Sequence, residues 1–391
     1  MATSPELLAS QIAASLETLG VHRVLLYGYK TPNHMHHWIQ VALMRAFEHL
    51  QGHGLPVDLR FEDNRSCLSM SQLEHTLVLA NLNVGRVDWA LPINPSAYYV
   101  IHNHNPTALS EKRYATLKAH GRCMTFEVFR GFHYDESYAA IEGQPYHLLS
   151  PRDRNAVITW ATDLLPDEIE LNKAQLEHEP RSPRRNVVFV GSIWRSNKRE
   201  MAQLVDYCAR HGLRFEQYGD YVVKDFSRRT HPNAVLHPGP VDYRRNNALI
   251  RSAYLAPAIQ GASQIANDDA VGNYIPCRIF KNISYGSYAA SNNPSANDLL
   301  GGRLICGRDM DELMTRAQYS ADDPESKTQL RALMDTVRDE HTYLNRIQTL
   351  LHCATLCSGQ SDTGKMHSWR LQLDNGARRR LAQIGRVVGR G

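Results

Sequence analysis

Two groups of polar side chains stand out by type and spacing. In the first half, Asp63, His102, His104 and Glu127 each close a short apolar run, at the point where a parallel strand would end. Imidazoles and carboxylates gathered at such ends can take a proton from a hydroxyl group or hydrogen-bond a hydroxylated ligand. In the second half, Arg195 and Lys198 follow Gly191-Ser192, and Arg278 and Lys281 lie in Gly272-Asn273-Tyr274-Ile275-Pro276-Cys277-Arg278-Ile279-Phe280-Lys281. A glycine-ended strand with a basic loop, or a helix start carrying an arginine, offers backbone N–H groups and cations to an anion. The first loop lacks the Gly-Lys-Ser/Thr ending of a Walker loop, and it is not a Gly-x-Gly-x-x-Gly fingerprint. A solvated basic turn and a plain helix–strand core pair would read the same way.

The histidines also raise metal binding, since His34, His36 and His37 can meet His102 and His104 at one sheet edge. No His-Glu-x-x-His spacing supports it. A polar edge for substrate is the stronger reading, and no metal is expected.

Stepping outward, alternating strands and helices must hold these groups. Glu6–Leu19 has helical periodicity and stops at Gly20; His22–Tyr29 reads as a strand, Trp38–Leu50 as a helix and Val57–Phe61 as a strand. A helix is expected over Ser71–Leu77, a strand at Tyr98–Ile101, a helix near Ser110–Ala119 and a strand at Cys123–Phe129. Such alternation implies a parallel sheet with right-handed crossovers. Thr159–Pro166 reads as a domain crossing and the polar stretch Asn172–Arg185 as a linker or surface loop. The pattern restarts with a strand at Asn186–Ser192, a helix from Glu200 to His211, strands near Phe215–Gly219 and Val235–Val241, and a helix at Asp242–Ser252. Pro276 suits a first helical turn, Ile279, Phe280 and Ile283 recur at helical spacing, and Gly286 suits the left-handed stop. A strand at Ala289–Ser291 and helices over Asp309–Gln318, Ser326–Arg338 and Arg338–Leu351 follow. Trp194 and Tyr274 read as packing residues.

At 391 residues the chain suits two domains rather than one core, and 42% hydrophobic with 21% charged residues excludes a disordered protein. A formal net charge of +4 suits an anionic small ligand without demanding nucleic acid. Seven scattered cysteines point to reduced thiols in a cytoplasmic protein. Met1–Leu16 has no signal-peptide pattern, and no stretch approaches the roughly 20 apolar residues of a membrane span.

Three segments carry a resemblance: Val188-Phe189-Val190-Gly191-Ser192, then Pro276–Gly286, then His341-Thr342-Tyr343 with Arg346 and Leu350-Leu351. In this order they resemble the group 1 glycosyltransferase domain of the spore-maturation-protein-like branch, over about residues 186–351. The two-half pattern resembles the B-type glycosyltransferase fold, an α/β class with two Rossmann-like domains facing across a cleft. The resemblance implies a nucleotide-diphosphate sugar donor on the second domain and a glycan or other hydroxylated acceptor on the first, without a metal or other cofactor. It places Gly191, Ser192, Arg195, Lys198, Gly239, Pro240, Val241, Asn273, Tyr274, Ile275, Pro276, Arg278, Ile279 and Lys281 at the donor. His104, His102, Glu127 and Asp63 become the candidate bases. One position departs from the pattern: where the family commonly has a glutamate holding the donor ribose, this chain has Lys281, which cannot accept a hydrogen bond.

The implied division is 1–165, 166–351 and a tail of 352–391, basic through Arg378-Arg379-Arg380, that either crosses back to the first domain or forms an arm. Rival readings are a nucleotide-sugar 2-epimerase of the same fold and a non-catalytic nucleotide- or sugar-binding protein. A nucleic-acid partner rests on the tail arginines alone and is disfavoured.

Overall fold

The computed structural model describes residues 4–32, 35–82, 91–103, 119–128, 137–176, 185–219, 221–226, 231–261 and 274–358. His34, His104, Asn273, most of the expected Ser110–Ala119 helix and the tail beyond 358 lie outside the described residues.

The first sheet takes strands β1 (Arg23–Gly28), β2 (Asp58–Asp63), β3 (Thr76–Leu82), β4 (Tyr98–Asn103), β5 (Cys123–Glu127), β6 (Ala139–Ile141), β7 (Gln144–Ser150) and β8 (Asn155–Val157). They pair in the order β2-β1-β3-β4-β5-β8-β7-β6. Every pair from β2 to β8 is parallel, and β6 and β7 add an antiparallel edge. Strand β3 corrects the expected helix over Ser71–Leu77, of which only a single 3-10 turn, Ser71–Leu73, forms. The reason is burial on both faces: Leu77 and Leu79 enter one core and Val78 and Ala80 the other, so a central strand shows no two-residue alternation.

Side chains that alternate along these strands define two faces. One face carries Val24 and Leu26, Leu77 and Leu79, Val100, and Met124 and Phe126, packed under helices α1 (Pro5–Thr18) and α2 (Met35–Gly52). The opposite face carries Leu25, Tyr27, Val78, Ala80, Tyr99, Ile101 and Cys123.

The second sheet is a parallel trio in the order β11 (Ala234–Pro238), β10 (Arg214–Gly219), β9 (Asn186–Val190). Single parallel bridges extend it through Val187–Leu255, Ala258–Ser291 and Ala290–Ile305. The expected strand at Ala289–Ser291 is therefore an extended segment held by isolated bridges.

Helix α3 (Pro166–Gln175) corrects the linker expectation over Asn172–Gln175. Its polar residues serve packing: the buried Asn172 Nδ2 donates to the Ser284 carbonyl at 3.0 Å, satisfying a helix end. The remaining helices of the second unit are α4 (Lys198–Arg210), α5 (Tyr243–Ser252), α6 (Cys277–Ser284), α7 (Pro294–Leu299), α8 (Met310–Asp322) and α9 (Ser326–Glu340). The helix expected over Arg338–Leu351 is broken at His341-Thr342, and α10 (Tyr343–Ser358) begins beyond the break. Tyr343, Ile347, Leu350 and Leu351 then join the core of the first sheet, where the Tyr98 hydroxyl donates to the Ala354 carbonyl at 3.0 Å. The return to the first unit is thus made by residues 343–358.

Candidate functional site

On the second unit, three segments converge at the carboxyl end of β9. Gly191 follows the strand with φ +146°, a left-handed-side conformation that favours glycine, and a Cβ there would overlap the Arg278 guanidinium. Arg278, in the first turn of α6, donates from Nε to the Val190 carbonyl at 3.1 Å and from Nη1 to the Ile259 carbonyl at 3.3 Å. Its guanidinium also lies 4.3 Å from the Phe189 ring centroid. Gly261 backs directly onto the Ser196 backbone, leaving no room for a side chain. Gln217 Nε2 donates to the Gly191 carbonyl at 2.7 Å from the neighbouring strand β10. The result is a cation fixed by backbone carbonyls beneath a glycine turn.

The loop above it is ordered by Asn197, whose Oδ1 accepts from the Trp194 N–H at 2.8 Å and whose Nδ2 donates to the Ser192 carbonyl at 3.3 Å. Arg195 is exposed on this loop. Lys198 opens α4 and is ion-paired with Asp225, which draws its charge away from the loop. Trp194 is not a packing residue: it is 44% exposed and stacks on exposed Tyr221, with ring centroids 4.2 Å apart.

Helix α6 places the rest of the expected donor residues. Pro276 is its N-cap rather than a first-turn residue, and Gly286 closes it at φ +88°. Ile275 and Ile279 are core side chains, so they offer a ligand only backbone groups. The Tyr274 carbonyl accepts from Gln260 Nε2 at 3.1 Å and Asn293 Nδ2 at 2.9 Å, which fixes the approach to the helix. Gly239, Pro240 and Val241 form the turn from β11 into α5, two strands away from β9. Just before it, His237 stacks on Tyr218 at 4.2 Å.

Lys281 is a different matter from Arg278. Its Nζ lies 2.7 Å from Asp163 Oδ2, with only 15% and 4% of the two side chains exposed. Burial presses the lysine toward neutrality, but the carboxylate prevails and its pKa stands above the ordinary lysine value. The Tyr285 hydroxyl donates to the other Asp163 oxygen. Asp163 sits on the segment joining the two sheets, where Arg45 of α2 also donates to its carbonyl at 2.6 Å. The expectation of Lys281 as a donor ligand is therefore corrected: a buried cation needs a nearby anion, and Asp163 supplies it.

The His341-Thr342-Tyr343 motif is likewise structural. Arg346 donates to the Thr159, Trp160 and Glu340 carbonyls, and its Nη2 lies 3.0 Å from His341 Nδ1. His341 stacks on Phe280 of α6 at 4.4 Å, and burial, then the Arg346 charge, push its pKa well below the ordinary value. These bonds hold the crossing segment, the donor helix and the returning helix together.

The four candidate bases of the first unit separate. His104 is outside the described residues. Asp63 accepts from the backbone N–H groups of Lys30 at 3.3 Å and Arg65 at 3.0 Å, so it orders a turn. His102 pairs in register with Phe126, and Glu127 is one residue further along β5. Alternation therefore sends His102 and Glu127 to opposite faces of the sheet, which the strand-end reading placed together. His102 packs 5.3 Å from His36 and 4.7 Å from Trp160. Glu127 accepts from Asn155 Nδ2 at 2.9 Å, and burial pushes its carboxyl up to about 8.

Beside His102 lie two groups that the sequence gave no reason to single out. Asn81 of β3 pairs in register with His102, and Gln40 of α2 reaches up under Gly28, where a Cβ would come within 2.9 Å of its carboxamide. Asn81 was hidden by the misread strand, and Gln40 by an ordinary position on a helix. Among the described residues, no group of three His, Cys, Asp or Glu side chains is placed to hold a metal ion. No helix there is long and apolar enough to cross a membrane.

Two parallel α/β units, with a last helix returning from the second to the first, make up the architecture of the B-type glycosyltransferase fold. The sequence agrees for the second unit: residues 182–352 match the glycosyl transferase-like family, and this part of the chain is a glycosyl transferase-like domain. No curated protein matches the sequence. Among solved structures, Anabaena Alr3699/HepE in complex with UDP and glucose is 12% identical with a TM-score of 0.45, covering 84% of this chain and 97% of its own. AviGT4, a glycosyltransferase of avilamycin A biosynthesis, is 12% identical with a TM-score of 0.47, covering 86% and 98%. WaaG, a glycosyltransferase of lipopolysaccharide biosynthesis, is 12% identical with a TM-score of 0.43, covering 86% and 100%.

Proposed function

We propose that the chain transfers a sugar from a nucleotide-diphosphate sugar to a hydroxyl group of a glycan or other acceptor. The donor binds to a domain of residues 166–351 and the acceptor to a domain of 1–165, with residues 343–358 tying the two. The observation that carries this reading is Arg278, held by the Val190 and Ile259 carbonyls directly beneath Gly191. A fixed guanidinium beneath a glycine turn suits a diphosphate, which accumulates charge as the glycosidic bond breaks. Arg195 and the first-turn amides of α6 add to it, a set of donors that stabilises the leaving group without a metal ion. Gly239, Pro240 and Val241 face the base through backbone groups. His102, with His104 two residues further in sequence, is the first-unit group suited to accept the acceptor's proton or to hold a sugar hydroxyl. All seven cysteines are free thiols, which suits a cytoplasmic, reducing setting.

Calorimetry with UDP, GDP and ADP and their sugars tests the donor site: one nucleotide diphosphate binds, and Arg278→Ala weakens it. Binding that survives this substitution overturns the assignment. Incubation with donor alone separates transfer from 2-epimerisation, because an epimerised nucleotide sugar without acceptor sinks the transferase reading. Tight nucleotide binding with neither hydrolysis nor transfer would favour a non-catalytic binding protein.

A further inference from the structure

The first unit holds an unusual pair of amides at the carboxyl ends of its central strands. Asn81 is 2% exposed and Gln40 is 4% exposed. Among the described residues, neither Asn81 Nδ2 nor Oδ1 meets a hydrogen-bond partner, and neither does Gln40 Oε1. An amide buried without partners costs about 1–3 kcal/mol, and three such atoms in one neighbourhood are hard to explain by packing.

Their placement is specific. Tyr27 pairs with Ala80, so Asn81 follows beside Gly28, and Gly28 is the residue over which the Gln40 carboxamide lies. On the other side Asn81 pairs with His102, whose ring faces His36 of α2. Leu77 and Leu79 share the face of the sheet that packs under α2, so alternation turns Asn81 toward α2 as well. Among the described residues, two carboxamides and two imidazoles meet there, with the Trp160 indole against His102. The neighbouring carboxylate, Asp63, is already engaged by two backbone N–H groups.

We propose that Asn81 and Gln40, flanked by His36 and His102, form a carboxamide cradle for the hydroxyl groups of an uncharged sugar ring, the acceptor of the reaction. This rests on the glycosyltransferase reading above. Each carboxamide presents a donor and an acceptor side by side, which matches a hydroxyl that both gives and takes a hydrogen bond. Among the described residues, the cradle has no guanidinium or ammonium of the kind a phosphorylated or acidic ring would need. It also sits in the last residues of the strands, at the carboxyl edge where parallel sheets receive ligands.

The test uses the full chain, with saturation-transfer NMR on methyl α-glucoside, methyl α-galactoside and methyl α-mannoside, and glucose 6-phosphate as the anionic comparator. At least one neutral glycoside is saturated by the wild type in preference to the phosphate. Asn81→Leu and Gln40→Met each weaken that glycoside roughly tenfold or more. Neither lowers the melting temperature, because each removes an unpaired buried group. Asn81→Ser, which puts a hydroxyl in place of the carboxamide, serves if the leucine variant fails to fold, and it retains partial binding.

Unchanged glycoside binding in both variants, preference for glucose 6-phosphate, or no glycoside signal with the wild type each overturns the proposal. Nucleotide binding, followed by calorimetry on the same samples, keeps the two readings apart. If it persists while the glycoside arm fails, only the cradle is wrong. If it is absent in the wild type, the glycosyltransferase reading fails whatever the cradle binds.

Discussion

At the carboxyl end of β9 the polar groups are charged and tied down, whereas near the end of β3 and on the facing α2 they are carboxamides with unmet atoms. Arg278 spends two donors on backbone carbonyls and lies against an aromatic ring, and Lys198 is matched by Asp225. Asn81 has no partner at all among the described residues, and Gln40 leaves its oxygen unmet. The same topological place, the end of a parallel strand, thus carries a cation site in one unit and a neutral polar site in the other. The contrast teaches that a parallel sheet fixes where a ligand sits, while the side chains at that position fix its charge. Between the two lies the joint, where Lys281 and Arg346 look like ligand-binding cations in sequence but are consumed by structure.

The sharpest way to break this picture is at the joint. Lys281→Met leaves the Asp163 carboxylate buried and uncompensated, and urea unfolding should show a loss of about 3–5 kcal/mol. The double change with Asp163→Asn should recover much of it. A small loss from Lys281→Met alone, accompanied by lost nucleotide binding, would move this lysine back into the donor site.

Glu127, on the opposite face of the first sheet from His102, probes that sheet through pH. Its folded pKa of about 8 lies above the ordinary 4.5, so below the ordinary value both folded and unfolded chains are protonated and nothing is lost. As pH rises toward 8 the unfolded chain sheds the proton first, and stability falls by up to about 5 kcal/mol, at 1.36 kcal/mol per pKa unit. Glu127→Gln should flatten that slope in denaturation curves recorded from acid to mildly alkaline pH. An unchanged slope would show that this carboxyl ionises normally.

Arg278→Ala sharpens the charged side, with nucleotide-diphosphate affinity falling by about 1.5–3 kcal/mol in calorimetry, the worth of a hydrogen bond to a charged group. Lys198→Ala should do least. Its partner is exposed and its own side chain is 35% exposed, so stability changes by about 0–1 kcal/mol and nucleotide affinity changes little. A larger effect on affinity would mean that Lys198 leaves Asp225 when the donor binds.

Much of the second unit could be read from local pattern. Gly191 and Gly286 marked a strand end and a helix stop because their backbone angles demand glycine, and both do adopt positive φ. Arg278 was legible as a first-turn cation. The first unit was harder to read, because Thr76–Leu82 is apolar on both faces and carries no alternation, which concealed Asn81 along with the strand. Trp194 gave no sign that its ring would be exposed on Tyr221, since the partner lies on a different loop.

What the sequence determined by itself is the α/β class, the restart near residue 186 and the positions of the strand ends, all of which depend on local periodicity and on glycine. Only the tertiary structure decided what each polar group does. The register of β4 and β5 put His102 and Glu127 on opposite faces. The approach of Asp163 turned Lys281 from a ligand candidate into a strut. The physical reason is that a side chain's charge and reach are local, whereas its partner comes from a distant part of the chain, and the partner fixes its role.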